Sequence, residues 1–158
     1  MTQTATVQVS DPLVQRWVPP ASLVLAVLGL AVSVYLTIEH YTASTTLACP
    51  DTGALNCLKV TTSEQSKLFG VPVAVLGLVY FAVMLALSLL WRTPRRDVRL
   101  GRLAFSAVGV LFVAWLVYAE LFTLDAICLW CTAVHVLAIG LFAVTALGTA
   151  YADPADLT

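Results

Sequence analysis

Charge is what this chain has least of. Asp, Glu, Lys and Arg together make up 11% of its 158 residues, where a soluble domain carries about a quarter. With 60% hydrophobic residues and a mean hydropathy of +0.93, the chain lacks the polar surface a water-soluble fold needs, and it belongs in lipid. No basic segment opens it, and its first apolar run is longer than the hydrophobic part of a signal peptide, so that run reads as an uncleaved first helix. There is no internal repeat and no low-complexity tract. Histidine is limited to His40 and His135. The net charge of -1 says nothing about partners, but the placement of the charges does. Five of the eight basic residues, Arg92, Arg95, Arg96, Arg99 and Arg102, crowd into one stretch. Basic clusters of this kind also bind nucleic acid. This one is flanked by apolar segments on both sides, which makes it a membrane-topology signal, and no nucleic-acid partner is expected.

Between the charges lie four apolar segments. Residues 21–38 hold no charge over 18 positions and residues 71–91 none over 21. Each is enough, at about 1.5 Å per helical residue, to cross a hydrocarbon core of about 30 Å. Residues 103–124 carry only Glu120, and residues 126–152, apart from two thiols and a tyrosine, hold only His135. A chain of this length ordinarily forms one domain. The expectation is therefore an all-α integral membrane protein, a four-helix bundle with spans near 19–40, 71–91, 102–124 and 126–151. That single domain would cover 19–152, after a disordered N-terminal stretch 1–18 and before a short tail, 153–158. Proline punctuation fits: Pro19 and Pro20 precede the first span, Pro72 suits the first turn of the second, and Pro94 follows its end. The positive-inside rule puts the arginine-rich loop, and with it both termini, in the cytoplasm, and loop 41–70 and the turn at Asp125 on the opposite side. All four cysteines then lie on the extracytoplasmic side of the cell (inner) membrane, and in a bacterial envelope, as in an endoplasmic reticulum lumen, that side permits disulfides.

Four cysteines allow three pairings. Their separations favour Cys49 with Cys57 across the loop and Cys128 with Cys131 within one helical turn. Cys128-Leu129-Trp130-Cys131 is a CxxC, a pattern that serves metals as well as redox chemistry. Structural disulfides, or cysteines packed as small apolar side chains, would leave the same trace. Position speaks for redox chemistry. Asp125 is placed to cap span four, which sets Cys128 at the third helical position, where unpaired amides and the helix dipole stabilise a thiolate. On this reading Cys128 faces water, and Cys131, one turn on and about 4.5 Å deeper, faces a lipid-soluble acceptor. A thiolate metal site in the outer loop would have only His40 close by, so no complete coordination set is evident. His135 lies a further turn in, placed to hydrogen-bond or protonate an acceptor, and an ionisable group at that depth is a functional hypothesis by default; a histidine bonded to a neighbouring helix is the structural alternative. Glu120 ranks below it, and Glu39 reads as structural. Trp115, Tyr118, Phe122 and Trp130 either wall a pocket or form an interfacial belt. In the loop, Thr61 with Glu64, or Thr62 with Gln65, matches capping-box spacing. It predicts a short amphipathic helix ending near Phe69-Gly70, resting on the bundle mouth through Val60, Leu68 and Phe69 as a lid.

In combination these features resemble the vitamin K epoxide reductase family, over the chain from span one to span four. Cys49 and Cys57 are separated by seven residues, Ser63 follows Cys57 by six, Phe69-Gly70-Val71-Pro72 opens span two, Ala114-Trp115 lies in span three, and the CxxC opens span four. The Phe-Gly-x-Pro junction and the tryptophan in the CxxC are similar to the bacterial branch. The resemblance implies a quinone-dependent thiol oxidoreductase. Cys49 and Cys57 would receive electrons from a DsbA-like or thioredoxin-like protein, a separate one because the chain stops soon after span four, and Cys128 and Cys131 would pass them to a menaquinone or ubiquinone, with no metal. Animal members place a tyrosine four residues after the second CxxC cysteine, where this chain has His135, and an asparagine shortly before Phe-Gly, where it has Ser66. His135 and Ser66, with Ser63, Trp130 and Phe69, are the expected quinone contacts, and the two departures bear on epoxide reduction rather than quinone reduction. An enzyme of the DsbB kind performs the same chemistry with both dithiols in loops. From another class, a soft-metal transporter or sensor built on the cysteine pairs predicts copper or zinc binding without quinone turnover, and a structural bundle with two disulfides predicts only a loss of stability on reduction. The orientation has its own test. With the loop disulfide reduced, a membrane-impermeant maleimide added to intact cells is expected to modify Cys49; modification only after the cells are opened contradicts it.

Overall fold

The computed structural model describes residues 12–42, 49, 54–90 and 96–151. In chain order these form α1 (Pro12–Thr42), a short α2 (Cys57–Thr61), a two-residue hairpin of β1 (Lys67–Leu68) and β2 (Val71–Pro72), then α3 (Val73–Leu89), α4 (Arg96–Tyr118) and α5 (Leu129–Ala150). In an apolar medium every backbone polar group must be satisfied internally, which leaves the long uncharged runs no alternative to the helix. Several of their hydroxyls, though not those of Ser33, Tyr80 and Ser88, follow the same rule by turning back on their own helix. Thr37 Oγ1 donates to the Ser33 carbonyl at 2.7 Å and Thr145 Oγ1 to that of Leu141 at 2.6 Å.

Among the described residues, three stretches are long and apolar enough to cross a bilayer, Arg16–Thr42, Arg96–Leu124 and Leu129–Ala150. α3, at 17 residues, is shorter. Val71 and Pro72, expected to begin that span, are instead drawn into the hairpin, and Pro72 becomes the residue that caps α3. A second difference lies at the other end of the chain. α1 begins at Pro12 and carries Pro19 and Pro20 inside it, so residues 12–18 of the stretch expected to be disordered are helical, and residues 1–11 lie outside the described ones. The Pro19 carbonyl accepts the Ser22 hydroxyl at 2.9 Å.

The single loop helix expected from the capping-box spacing is replaced by three smaller pieces. The Thr61 and Thr62 hydroxyls donate back to the carbonyls of Cys57 and Leu58 at 2.8 and 2.7 Å, so these residues end α2 rather than begin a new helix. Ser63 caps a 3₁₀ turn at Glu64–Ser66. The hairpin follows, with Lys67 opposite Pro72 and Leu68 opposite Val71. Its turn runs through Phe69 at φ 52° and Gly70 at φ 81°, two successive positive φ values that suit the twist of a tight hairpin and put a bulky side chain in a region such residues seldom adopt.

α1 packs along both α3 and α5, and α4 packs on α5. The buried core is Ala26, Phe81, Met84, Val113, Ala138 and Leu141. α3 and α4 meet mainly where Tyr80 stacks on Phe105, with centroids 5.3 Å apart. Val24, Val27, Leu111, Val136 and Ile139 point outward, the apolar shell that a lipid-facing bundle presents. α1 and α3 interlock at Gly29, where a Cβ would collide with the Phe81 ring. Gly29→Ala is expected to destabilise the bundle by about 1–3 kcal/mol through overpacking, read as a lower thermal midpoint in detergent. Gly140→Ala, whose Cβ would meet Leu25 at an ordinary 3.5 Å, should leave the midpoint unchanged; equal midpoints for both variants would contradict the packing described.

Candidate active site

The site forms where the loop after α1 meets the start of α5. Cys49 and Cys57 are joined by a disulfide, with Cα atoms 6.1 Å apart. Cys57 opens α2, whose amides are capped by Asn56, the side-chain oxygen accepting from Lys59 N at 2.8 Å. The segment ahead of Cys57 pairs with the one ahead of Cys128 as an isolated parallel bridge between Leu55 and Ile127. Asn56 N donates to the Ile127 carbonyl at 3.1 Å, and Ile127 N to the Ala54 carbonyl at 2.9 Å. Cys57 and Cys128 are thereby brought into one buried cluster with Val60 and Ala126, and Cys49, Trp130 and Cys131 pack against it.

Cys128 itself caps α5. Asp125, expected in that role, stands in the left-handed region at φ 49° as the chain leaves a π-helical turn at Ala119–Leu124, so the helix begins later than the spacing of polar residues suggested. The Cys128 sulfur accepts from Cys131 N at 3.3 Å, and its carbonyl accepts from both the amide and the hydroxyl of Thr132 at 2.9 Å. Cys128 is fully buried, which overturns the expectation that it faces water. A hydrogen bond from the Cys131 thiol holds the Cys128 thiol below the ordinary thiol range, against the opposing effect of burial.

Cys131, half-buried, lines a cavity of about 400 Å³, within the range of pockets that take small molecules. The cavity runs from Ser63, Gln65 and Ser66 at the loop to Tyr80, Phe105 and Gly109 between α3 and α4, and His135 and Glu120 share its wall. Gly109 is the notch that receives the Tyr80 ring. Of the expected quinone contacts, His135, Ser66 and Ser63 line this space. Trp130 and Phe69 do not. Trp130 lies against Tyr35 with ring centroids 5.0 Å apart and planes tilted by 58°, and Phe69 is 98% exposed at the hairpin tip. Both serine hydroxyl protons are already committed, Ser63 Oγ donating to Val60 O at 2.8 Å and Ser66 Oγ to Ser63 O at 2.6 Å, so neither is a free donor to a ligand. Two hydroxyls that sequence reasoning missed are in the opposite condition. Ser33 Oγ and Tyr80 Oη are buried without a partner among the described residues, and both residues border the cavity. The signal was modest: Tyr80 is the one tyrosine in the apolar run 71–91. Among the described residues no group of three His, Cys, Asp or Glu side chains is placed to hold a metal ion.

The model of the vitamin K epoxide reductase family matches residues 20–146. The chain belongs to that family. Its members are oxidoreductases of thiols and disulfides that use a quinone, carried on multi-pass apolar helices, and the match spans every element from within α1 to within α5. For a vitamin K epoxide reductase-type site, the arrangement provides one closed disulfide, one pair of free thiols, and an apolar cavity reached by only the second thiol of that pair.

The hydrogen bond between the two helix cysteines has a direct consequence. In Cys131→Ala the Cys128 thiolate should form at higher pH than in Cys131→Ser, which keeps a donor, because a lost donor raises a thiol pKa. Ultraviolet thiolate absorbance with the loop disulfide intact measures this, and coincident titrations would contradict it.

Proposed function

We propose that this chain oxidises the dithiol of a separate DsbA-like or thioredoxin-like protein and delivers the electrons through its four cysteines to a membrane quinone, menaquinone or ubiquinone, supporting disulfide formation in other proteins. The observation that carries this reading is the placement of Cys57 against Cys128 while Cys131 opens onto the cavity. A partner thiolate attacks Cys49, which is half-buried where Cys57 is only 2% exposed, and Cys57 leaves as a thiolate; the partner's second thiol then resolves the mixed disulfide. Cys57 attacks Cys128 of a Cys128–Cys131 disulfide and expels Cys131. Attack by Cys49 on Cys57 restores the loop disulfide and leaves Cys128 and Cys131 as the loaded dithiol.

The cavity suits a quinone in its chemistry. Its walls are apolar, Cys131 is at hand, and His135 and the unpartnered Tyr80 hydroxyl are donors available to carbonyl oxygens. A bound quinone supplies a two-electron, two-proton acceptor, and re-formation of the Cys128–Cys131 bond completes the cycle. In this reading all four long helices span the cell (inner) membrane, with the arginine-rich end in the cytoplasm and the cysteine end outside. Spectroscopy of quinone absorbance tests it, using the purified chain, a reduced DsbA-like protein and a soluble menaquinone or ubiquinone analogue. Turnover is expected with the unmodified protein and should vanish in Cys131→Ala. Equal turnover in the variant, or none with either quinone, would contradict the relay.

A further inference from the structure

α4 gives up its α-helical register at Ala119, and Ala119–Leu124 form a π-helical turn, a distortion found frequently at functional sites. Its second residue is Glu120. Arg102, Ser106 and Val113 are the buried positions of α4, and Glu120 continues that face two turns beyond Val113. It is 6% exposed. No cationic side chain among the described residues offsets its charge. Its carboxylate sits against the backbone N–H of Cys128, within electrostatic reach of the sulfurs of both Cys128 and Cys131. It lines the same cavity as Cys131 and His135. Its own carbonyl accepts Ala126 N at 3.1 Å, so the segment that carries Cys128 also fixes Glu120. A carboxyl group buried in an apolar bundle is costly, and packing alone does not require one.

We propose that Glu120 is a catalytic proton carrier, which takes the proton of the Cys131 thiol and hands it to an oxygen of the quinone in the cavity. This rests on the thiol-to-quinone reading above and adds the proton's route to it. Forming the Cys128–Cys131 bond breaks both S–H bonds, and the two electrons so released pass to the quinone. The Cys131 proton moves to the Glu120 carboxylate and on to one quinone oxygen, and the Cys128 proton, whose sulfur is sealed from the cavity, follows through the same carboxylate to the other. Two electrons and two protons leave the thiols, both end on the quinone, and Glu120 returns to its starting state.

Glu120→Gln keeps the shape and an acceptor facing Cys128 N–H but carries no proton. In quinone-free protein with Cys49→Ser and Cys57→Ser, the infrared difference between the disulfide and dithiol states of Cys128 and Cys131 should contain a carboxyl C=O band that Glu120→Gln removes. With all cysteines present, Glu120→Gln should lower kcat for quinone reduction by about 100-fold, the scale of general acid–base catalysis, with KM within about two-fold, and Glu120→Asp should recover part of the rate. Superimposable difference spectra, or an unchanged kcat, would overturn the assignment. Absence of Cys131-dependent turnover in the unmodified protein would instead remove the reading beneath it, and the infrared band would still decide whether Glu120 exchanges a proton with the thiol pair.

Discussion

Two backbone hydrogen bonds, Asn56 N to Ile127 O and Ile127 N to Ala54 O, hold a surface loop against the mouth of a helix bundle, and the arrangement of the site depends on them. Each such bond is worth only about 0.5–1.5 kcal/mol net, but they set register, and register decides which sulfur meets which. Cys57 follows one strand of this bridge and Cys128 the other, so both enter the same buried cluster. In the proposed relay, opening the Cys49–Cys57 disulfide leaves these two hydrogen bonds, and with them the place of Cys57 beside Cys128, intact.

The second constraint is the gap between α3 and α4. α1 and α5 carry most of the packing, α3 resting on α1 and α4 on α5, and the two outer helices touch chiefly through Tyr80 and Phe105. Between them the cavity extends from the loop serines to the aromatic contact, and Cys131 reaches it while Cys128 remains sealed. A sealed sulfur suits exchange with Cys57, where water and stray thiols are excluded. A sulfur on an apolar cavity suits exchange with a ligand dissolved in lipid. The helix N-terminus joins the two, since the Cys131 amide and thiol both donate to Cys128.

The architecture was legible because lipid leaves a sequence few choices: uncharged runs of helical length, an arginine cluster between two of them, and a CxxC at the head of the last. The four cysteines were legible as neighbours at one end of the bundle, and His135 as a buried ionisable group one turn below Cys131. What escaped was decided by local competition for backbone hydrogen bonds. Thr61 and Thr62 fit a capping box on paper but spend their hydroxyls ending the preceding helix. Asp125 is a good cap by composition, yet the π turn before it throws it into the left-handed region and Cys128 caps in its place. Pro19 and Pro20 look like a helix start and lie inside one. Trp130 and Phe69 stand at positions expected to touch a ligand, but an aromatic neighbour takes the first and a hairpin turn displays the second. Glu120 was within reach of helical arithmetic, seven residues after Val113 on the buried face, but its short distance along the chain from the end of the span points to the interface instead.

In the proposed relay, Cys57 and Cys128 are the pair through which loop and helix exchange electrons. Mass spectrometry of the Cys49→Ser, Cys131→Ser double variant, exposed to the mild oxidant that closes the loop disulfide in the unmodified protein, tests it most directly. A single intramolecular crosslink between the Cys57 and Cys128 peptides is expected; two free thiols, or crosslinks only between separate molecules, would rule the exchange out.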